Sequence, residues 1–119
     1  IHLHKTGALL SACVITGALI GNADDTLITA LRTYARGIGL AFQIIDDILD
    51  ITAGSELLGK TAGKDLLADK TTYPKLLGLE ESRKRADDLV REAKEALQPW
   101  SDQAMPLLAL ADFITSRDR

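Results

Sequence analysis

Between residues 27 and 49 a large apolar side chain returns every three or four positions: Leu27, Leu31, Tyr34, Ile38, Phe42, Ile45 and Leu49. That is the period of one face of an α-helix and not of a strand. It predicts a single long helix from about 23 to 51, ending near "ITAGS", where Gly54 breaks the pattern. A seam of that length must be covered by other helices, and the flanking sequence offers them. Residues 3–20 read as a helix that is apolar almost all round, and therefore buried on most sides. Residues 79–98 read as an amphipathic helix with Ala86, Leu89, Val90, Ala93 and Leu97 as its buried stripe. Asn22 is placed as the cap of the long helix, with Asp24 and Asp25 in its first turn. A loop is expected over 53–64 and a short helical turn over 64–69. Pro74 opens another short helix that ends near Gly78, and Ser101 caps a last helix over about 101–116. The chain is 46% hydrophobic but only 4% aromatic, a balance that suits helix-on-helix packing better than sheets. The expected fold class is all-α.

The 119 residues suffice for one domain or part of a larger one. The chain opens on Ile1 and "IHLHKTGALL", which already reads as helix interior, so it is expected to be a piece of something longer. A net charge of −3 gives no basic footprint for nucleic acid. Cys13 is the only cysteine, which rules out an intrachain disulfide and fits a reducing compartment. Residues 6–23 carry no formal charge and mimic a signal peptide or a short membrane span. Ser11, Thr16 and Asn22 interrupt the run and Gly7, Gly17 and Gly21 weaken it, so a buried helix is expected rather than a transmembrane segment.

"IIDDILD" sets three carboxylates near the end of the long helix. With Asp46 at 0°, Asp50 falls at about 40°, Gln43 at about 60° and Asp47 at about 100° on the helical wheel. Like charges on one arc repel, and the nearest Lys or Arg in sequence are Arg36 and Lys60. Such a group fits a solvated acidic helix end or a metal site. The apolar flanks "FQII" and "IL" favour the metal, because these acids fall where burial is expected. An all-oxygen donor set suits Mg²⁺, which is usually held by one or two carboxylates plus substrate phosphates. Zn²⁺ would want His or Cys nearby. An EF-hand counted from Asp46 would place Ile48 and Leu57 at ligand positions, which excludes it.

Downstream, "GSELLGKT" at 54–61 satisfies the formal P-loop pattern. The mechanism of that loop needs a preceding strand and backbone N–H groups free to wrap phosphate. Glu56 puts a negative charge in the cradle, Leu57 and Leu58 are bulky for it, and no partner strands are in view. Nucleotide binding through a P-loop is therefore a distant alternative. Lys60, Lys64 and Lys70 are nonetheless placed to fold back over a metal-bound anion.

"GLAFQIIDDILD" followed by "LGKTAGKDLLADKTTYPKLLGLEESR", with "HKTGALL" near the start, resembles the trans-polyprenyl diphosphate synthases. It looks closest to the geranylgeranyl diphosphate synthases of plastids and cyanobacteria. The resemblance implies an all-α fold around a deep central cavity, usually as a dimer, with 1–119 as the C-terminal part of a single synthase domain. It implies that isopentenyl diphosphate is condensed with an allylic diphosphate to give geranylgeranyl or farnesyl diphosphate. "DDILD" would be the second aspartate-rich motif, with Asp46 the most direct Mg²⁺ ligand and Asp47 and Asp50 helping through metal or water. Lys5 and Thr6 match a Lys-Thr pair near the diphosphates, and Lys60 and Lys70 match two later basic contacts. Phe42 and Gln43 match the pair lining the reacting centre, and Asp65 a water-mediated contact. The closing "SRDR" resembles a basic C-terminal arm that closes over the isopentenyl diphosphate site.

The family's first aspartate-rich motif is absent from these residues, as are its early Lys, Arg and His contacts for isopentenyl diphosphate. The 119 residues are thus not expected to turn over alone. The alternative from another class is a non-catalytic regulatory subunit of a prenyltransferase heteromer. Retention of the aspartates and lysines argues against it, since a silent subunit has no need of them. A homodimer or heterodimer in the cytoplasm or plastid stroma is expected. In this family product length is set largely by residues just before the first motif, so it is not legible here.

Overall fold

The computed structural model describes residues 2–57 and 72–117 and builds them from helices alone. Helix α1 (His2–Ile20) and helix α2 (Asp25–Leu57) are joined by a tight reversal. The Gly21 and Ala23 N–H groups donate back to the Gly17 and Ala18 carbonyls, each at 2.9 Å, and Asn22 sits at φ 60°. Asn22 is therefore part of the turn and not the cap. Asp24 takes that role: its Oδ1 accepts from the Leu27 N–H at 2.8 Å, satisfying one of the donors a helix start leaves open.

Helix α2 runs past residue 51 to Leu57, straight through Gly54. A lone glycine inside a helix costs about 1 kcal/mol, too little to stop one already propagated over many turns. The expected start of a loop at 53 is thus corrected. The expected turn over 64–69 falls outside the described residues. Further on come α3 (Tyr73–Leu77), α4 (Leu79–Ala96), a single 3₁₀ turn (Gln98–Trp100) and α5 (Met105–Ser116). Thr72 caps α3, Pro74 occupies its first turn, and Gly78 closes it at φ 87°. The last helix begins at Met105 rather than 101, because the 3₁₀ turn and the turn after it occupy the intervening residues. Pro106 then sits in the first turn of α5, where its missing N–H is not needed.

At 1.5 Å per residue the 33 residues of α2 reach about 50 Å. That is the longest dimension of the molecule, 50 × 24 × 22 Å. All else is laid along this rod: α1 on one side, α4 on the other, and α5 closing over both α2 and α4. Two glycines permit the sandwich. Gly37 and Gly39 lie about 200° apart on the helix, on opposite faces. A Cβ on Gly37 would fall 3.1 Å from the Leu89 carbonyl oxygen and 3.2 Å from the Ala93 Cβ, both on α4. A Cβ on Gly39 would fall 3.2 Å from the Gly7 Cα on α1.

The core gathers Leu31, Tyr34, Ile38, Ile44, Ile45 and Ile48 of α2 with the whole expected stripe of 79–98, namely Ala86, Leu89, Val90, Ala93 and Leu97. Tyr34 crosses it to donate its hydroxyl to the Leu107 carbonyl at 2.7 Å. Helix α1 departs from expectation. Of its described side chains only Ala18 is buried, and Leu9, Leu19 and Ile20 face outward. No helix among the described residues is long and apolar enough to cross a membrane.

Candidate active site at the C-terminal end of α2

The α2 segment from Phe42 to Asp50 is anchored from beneath. Ile44, Ile45 and Ile48 are buried in the core, which fixes the rotation of the helix and turns Asp46, Asp47 and Asp50 toward the rim. Asp46 and Asp47 are half-buried and Asp50 is exposed. Gln43 Nε2 donates to Asp47 Oδ1 at 3.0 Å, one helical turn away, and holds that carboxylate in place. Among the described residues the three aspartates do not close into a cage of three acidic ligands. Their donors are all oxygen, the ligand type that Mg²⁺ takes alongside waters and phosphate oxygens.

The counter-charge that local sequence lacks comes from the far end of the chain. Arg117, just after α5, places Nη1 3.2 Å from Asp46 Oδ1, across 71 positions of sequence. Its Nε donates to the Ile114 carbonyl at 3.4 Å, and the guanidinium carbon lies 4.5 Å from the centre of the Phe42 ring. Nη2 is buried with no hydrogen-bond partner among the described residues. Phe42, half-buried, therefore already carries a cation on its face, the geometry in which an aromatic ring attracts positive charge.

Lys5 and Thr6 reach the same end of α2 through the register of the first two helices. Gly7 lies against Gly39, and the helices run antiparallel through the reversal at 21–24. Each step toward the start of α1 is thus a step toward the end of α2. Asp46 lies about 10 Å along the axis beyond Gly39, and Lys5 about 3 Å beyond Gly7 in the same direction. Lys5 is exposed and Thr6 half-buried.

Lys60, Lys64, Lys70 and Asp65 lie outside the described residues, as do the last two residues of "SRDR". The P-loop reading fails on what is described. "ILDIT" is helix rather than strand, and Gly54 to Leu57 continue that helix where a phosphate loop would need open backbone. A separate groove of about 380 Å³ runs between α4 and α5. It is bridged by Lys94 and Asp112 at 2.8 Å and shares no lining residue with the aspartate group.

Arg117 is the residue at this end of α2 that local sequence reasoning did not pair with the aspartates. The available signal was an imbalance: three acids with no cation within nine positions, and a basic run at the other end of the chain.

Comparison with known proteins places the chain by sequence. A dimethylallyltranstransferase of Fischerella ambigua is 57% identical over 98% of this chain and 34% of its own length. The large subunit 1 of a heterodimeric chloroplastic geranylgeranyl pyrophosphate synthase of Arabidopsis thaliana is 58% identical over 98% of this chain and 32% of its own. A chloroplastic geranylfarnesyl diphosphate synthase of Leucosceptrum canum is 57% identical over the full chain and 33% of its own. The chain thus spans about a third of the length of the relatives it matches. The polyprenyl synthetase family model matches residues 1–105, and the chain belongs to that family.

Proposed function

We propose that these 119 residues form the C-terminal part of a single prenyltransferase domain, carrying the second of its two metal-binding motifs. The observation that carries the reading is the Phe42–Asp50 segment of α2. It presents an aromatic face, an amide and three carboxylates at one rim above a buried isoleucine floor. Membership of the polyprenyl synthetase family and relatives named as prenyl diphosphate synthases support it.

The reaction is head-to-tail condensation of isopentenyl diphosphate with an allylic diphosphate. The allylic C–O bond breaks heterolytically, leaving an allylic cation and a diphosphate. The double bond of isopentenyl diphosphate attacks that cation, a C–C bond forms, and a proton is lost, taken up by the departing diphosphate. Asp46, with Asp47 and Asp50 in support, would hold Mg²⁺, which would supply charge neutralisation for the leaving diphosphate. Lys5, Lys60 and Lys70 add positive charge directly, and Thr6 and Gln43 donate hydrogen bonds. Phe42 offers its ring face to the developing cation, as it offers it to Arg117 in the free chain. The apolar stretch of α1 excludes water from the cation.

The first aspartate-rich motif is not among these residues, so activity belongs to the longer protein. We infer a homodimer or heterodimer, since one relative is named as a heterodimer subunit. Cytoplasm or plastid stroma is the inferred compartment, in line with relatives named chloroplastic. Relatives named for geranylgeranyl and for geranylfarnesyl products match these residues equally well, at 58% and 57%. Overall similarity therefore does not discriminate product length.

The test is steady-state condensation by the full-length protein with Mg²⁺, isopentenyl diphosphate and a series of allylic diphosphates. Asp46→Asn is expected to lower kcat/KM by roughly 10²–10³-fold, with far-UV circular dichroism unchanged. An Asp46→Asn protein with full activity would sink the assignment.

A further inference from the structure

We propose that Arg117 is a built-in counter-cation: it holds Asp46 while no metal is bound and must leave that carboxylate for a divalent ion to enter. The inference rests on the reading of Asp46 as a metal ligand and adds a competitor for it.

Three observations converge. Arg117 Nη1 lies 3.2 Å from Oδ1 of Asp46, the carboxylate read as the metal ligand. The same guanidinium lies over the Phe42 ring at 4.5 Å, so one cation covers both the carboxylate and the aromatic face of the site. The pose is incompletely satisfied. Nε makes a long bond of 3.4 Å to the Ile114 carbonyl, and among the described residues the buried Nη2 finds no acceptor. The arginine side chain is 21% exposed and the aspartate 40%, so solvent and ions reach the pair.

Charge accounts for why the chain adopts this pose. Asp46, Asp47 and Asp50 share one helical arc. Without a metal they repel, and among the described residues the ion pair to Asp46 is supplied by Arg117, across 71 positions. A divalent ion placed between the carboxylates answers the same repulsion with twice the charge. The two cations then compete for Asp46, and the orphaned Nη2 makes the arginine the easier one to displace. Once displaced, Arg117 uncovers the Phe42 face in the same movement, so metal entry and opening of the aromatic wall are one event.

The experiment is a Mn²⁺ titration of the full-length protein without substrate, followed by the electron paramagnetic resonance of free Mn²⁺. Wild type is compared with Arg117→Gln, Arg117→Lys and Asp46→Asn. Arg117→Gln is expected to bind Mn²⁺ on the order of three- to tenfold more tightly, the scale of one partly exposed ion pair. Arg117→Lys, which keeps the charge, is expected to stay close to wild type. Unchanged or weaker Mn²⁺ binding in Arg117→Gln overturns the proposal, as does a failure of Arg117→Gln to take up Mn²⁺ at all. Asp46→Asn separates the two readings. If it leaves the number of Mn²⁺ ions bound per chain unchanged, the metal site itself is wrong. If it lowers that number while Arg117→Gln matches wild type, only the counter-cation is wrong. Near-ultraviolet circular dichroism of each variant reports whether the fold is kept.

Discussion

Helices α1 and α4 are nearly the same length, 19 and 18 residues, and pack on opposite faces of the same rod, α2. They are otherwise unlike. In α4 the residues are sorted: Ala86, Leu89, Val90 and Ala93 face inward, while Glu81, Lys84, Arg91 and Glu95 face water. In α1 they are not sorted. Its inner face meets α2, yet its outer face is also apolar, with Leu19 at 63% and Ile20 at 82% exposure. A helix apolar on both sides has the composition of a layer with protein on each side, whereas α4 has the composition of a finished surface. The expectation that α1 is buried on most sides is not met within these residues: of its described side chains only Ala18 is buried.

The sharpest way to break this contrast is to shorten equivalent leucines. Leu89→Ala in α4 is expected to cost about 2–5 kcal/mol, because a buried side chain leaves a cavity. Leu19→Ala in α1 is expected to change stability by less than about 0.5 kcal/mol. Urea unfolding of the 119-residue chain measures both, and equal losses would end the distinction.

The two glycines of α2 sharpen it. Gly37→Ala sets a methyl against the backbone of α4, which is held by its own core contacts. A net cost of about 1–2 kcal/mol is expected after the gain in helix propensity is counted. Gly39→Ala meets the Gly7 backbone of α1, a helix with few buried side chains to hold it, so a smaller change is expected. Thermal melts of the two variants give the order, and a larger loss for Gly39→Ala would reverse the assignment of the rigid side.

A smaller effect is expected from Tyr34, on the finished side. Tyr34→Phe removes the hydrogen bond to the Leu107 carbonyl, for about 1 kcal/mol. Burial pushes the Tyr34 phenol up from 10.0 to about 12. Below pH 10 the phenol is neutral in both folded and unfolded chains, and its contribution is fully present. Between pH 10 and about 12 the unfolded chain releases the proton while the folded chain keeps it, so stability falls as pH rises. Denaturant midpoints measured from pH 9 to 12 should decline in the wild type, with a shallower slope in Tyr34→Phe.

Much of the fold was legible because its signals are local. The stripe from Leu27 to Leu49, the inward set of α4 and the Pro74–Gly78 bracket of α3 each depend on residues within a few turns of one another. The misses have equally local causes. Gly54 was read as a stop, yet one weak residue does not end a long helix. Asn22 was read as the cap, yet the reversal takes it at positive φ and leaves the capping to Asp24. Ser101 was read as a start, although Pro99 and Pro106 divide that stretch between a 3₁₀ turn and α5. Of the site, Phe42, Gln43 and the aspartates share one helix, so their common rim followed from the 100° step alone.

Sequence alone determined the main helices, the stripes that α2 and α4 bury, and a cluster of negative charge toward the end of α2 with no cation near it in sequence. Periodicity and charge are properties of neighbouring residues, and the backbone geometry of a helix converts them directly into faces. Tertiary structure decided which cation meets Asp46, which aromatic ring lies beneath it, and which face of α1 stays open. Those outcomes depend on where α5 and α1 come to rest on α2, and no short-range period encodes a contact closed across 71 residues.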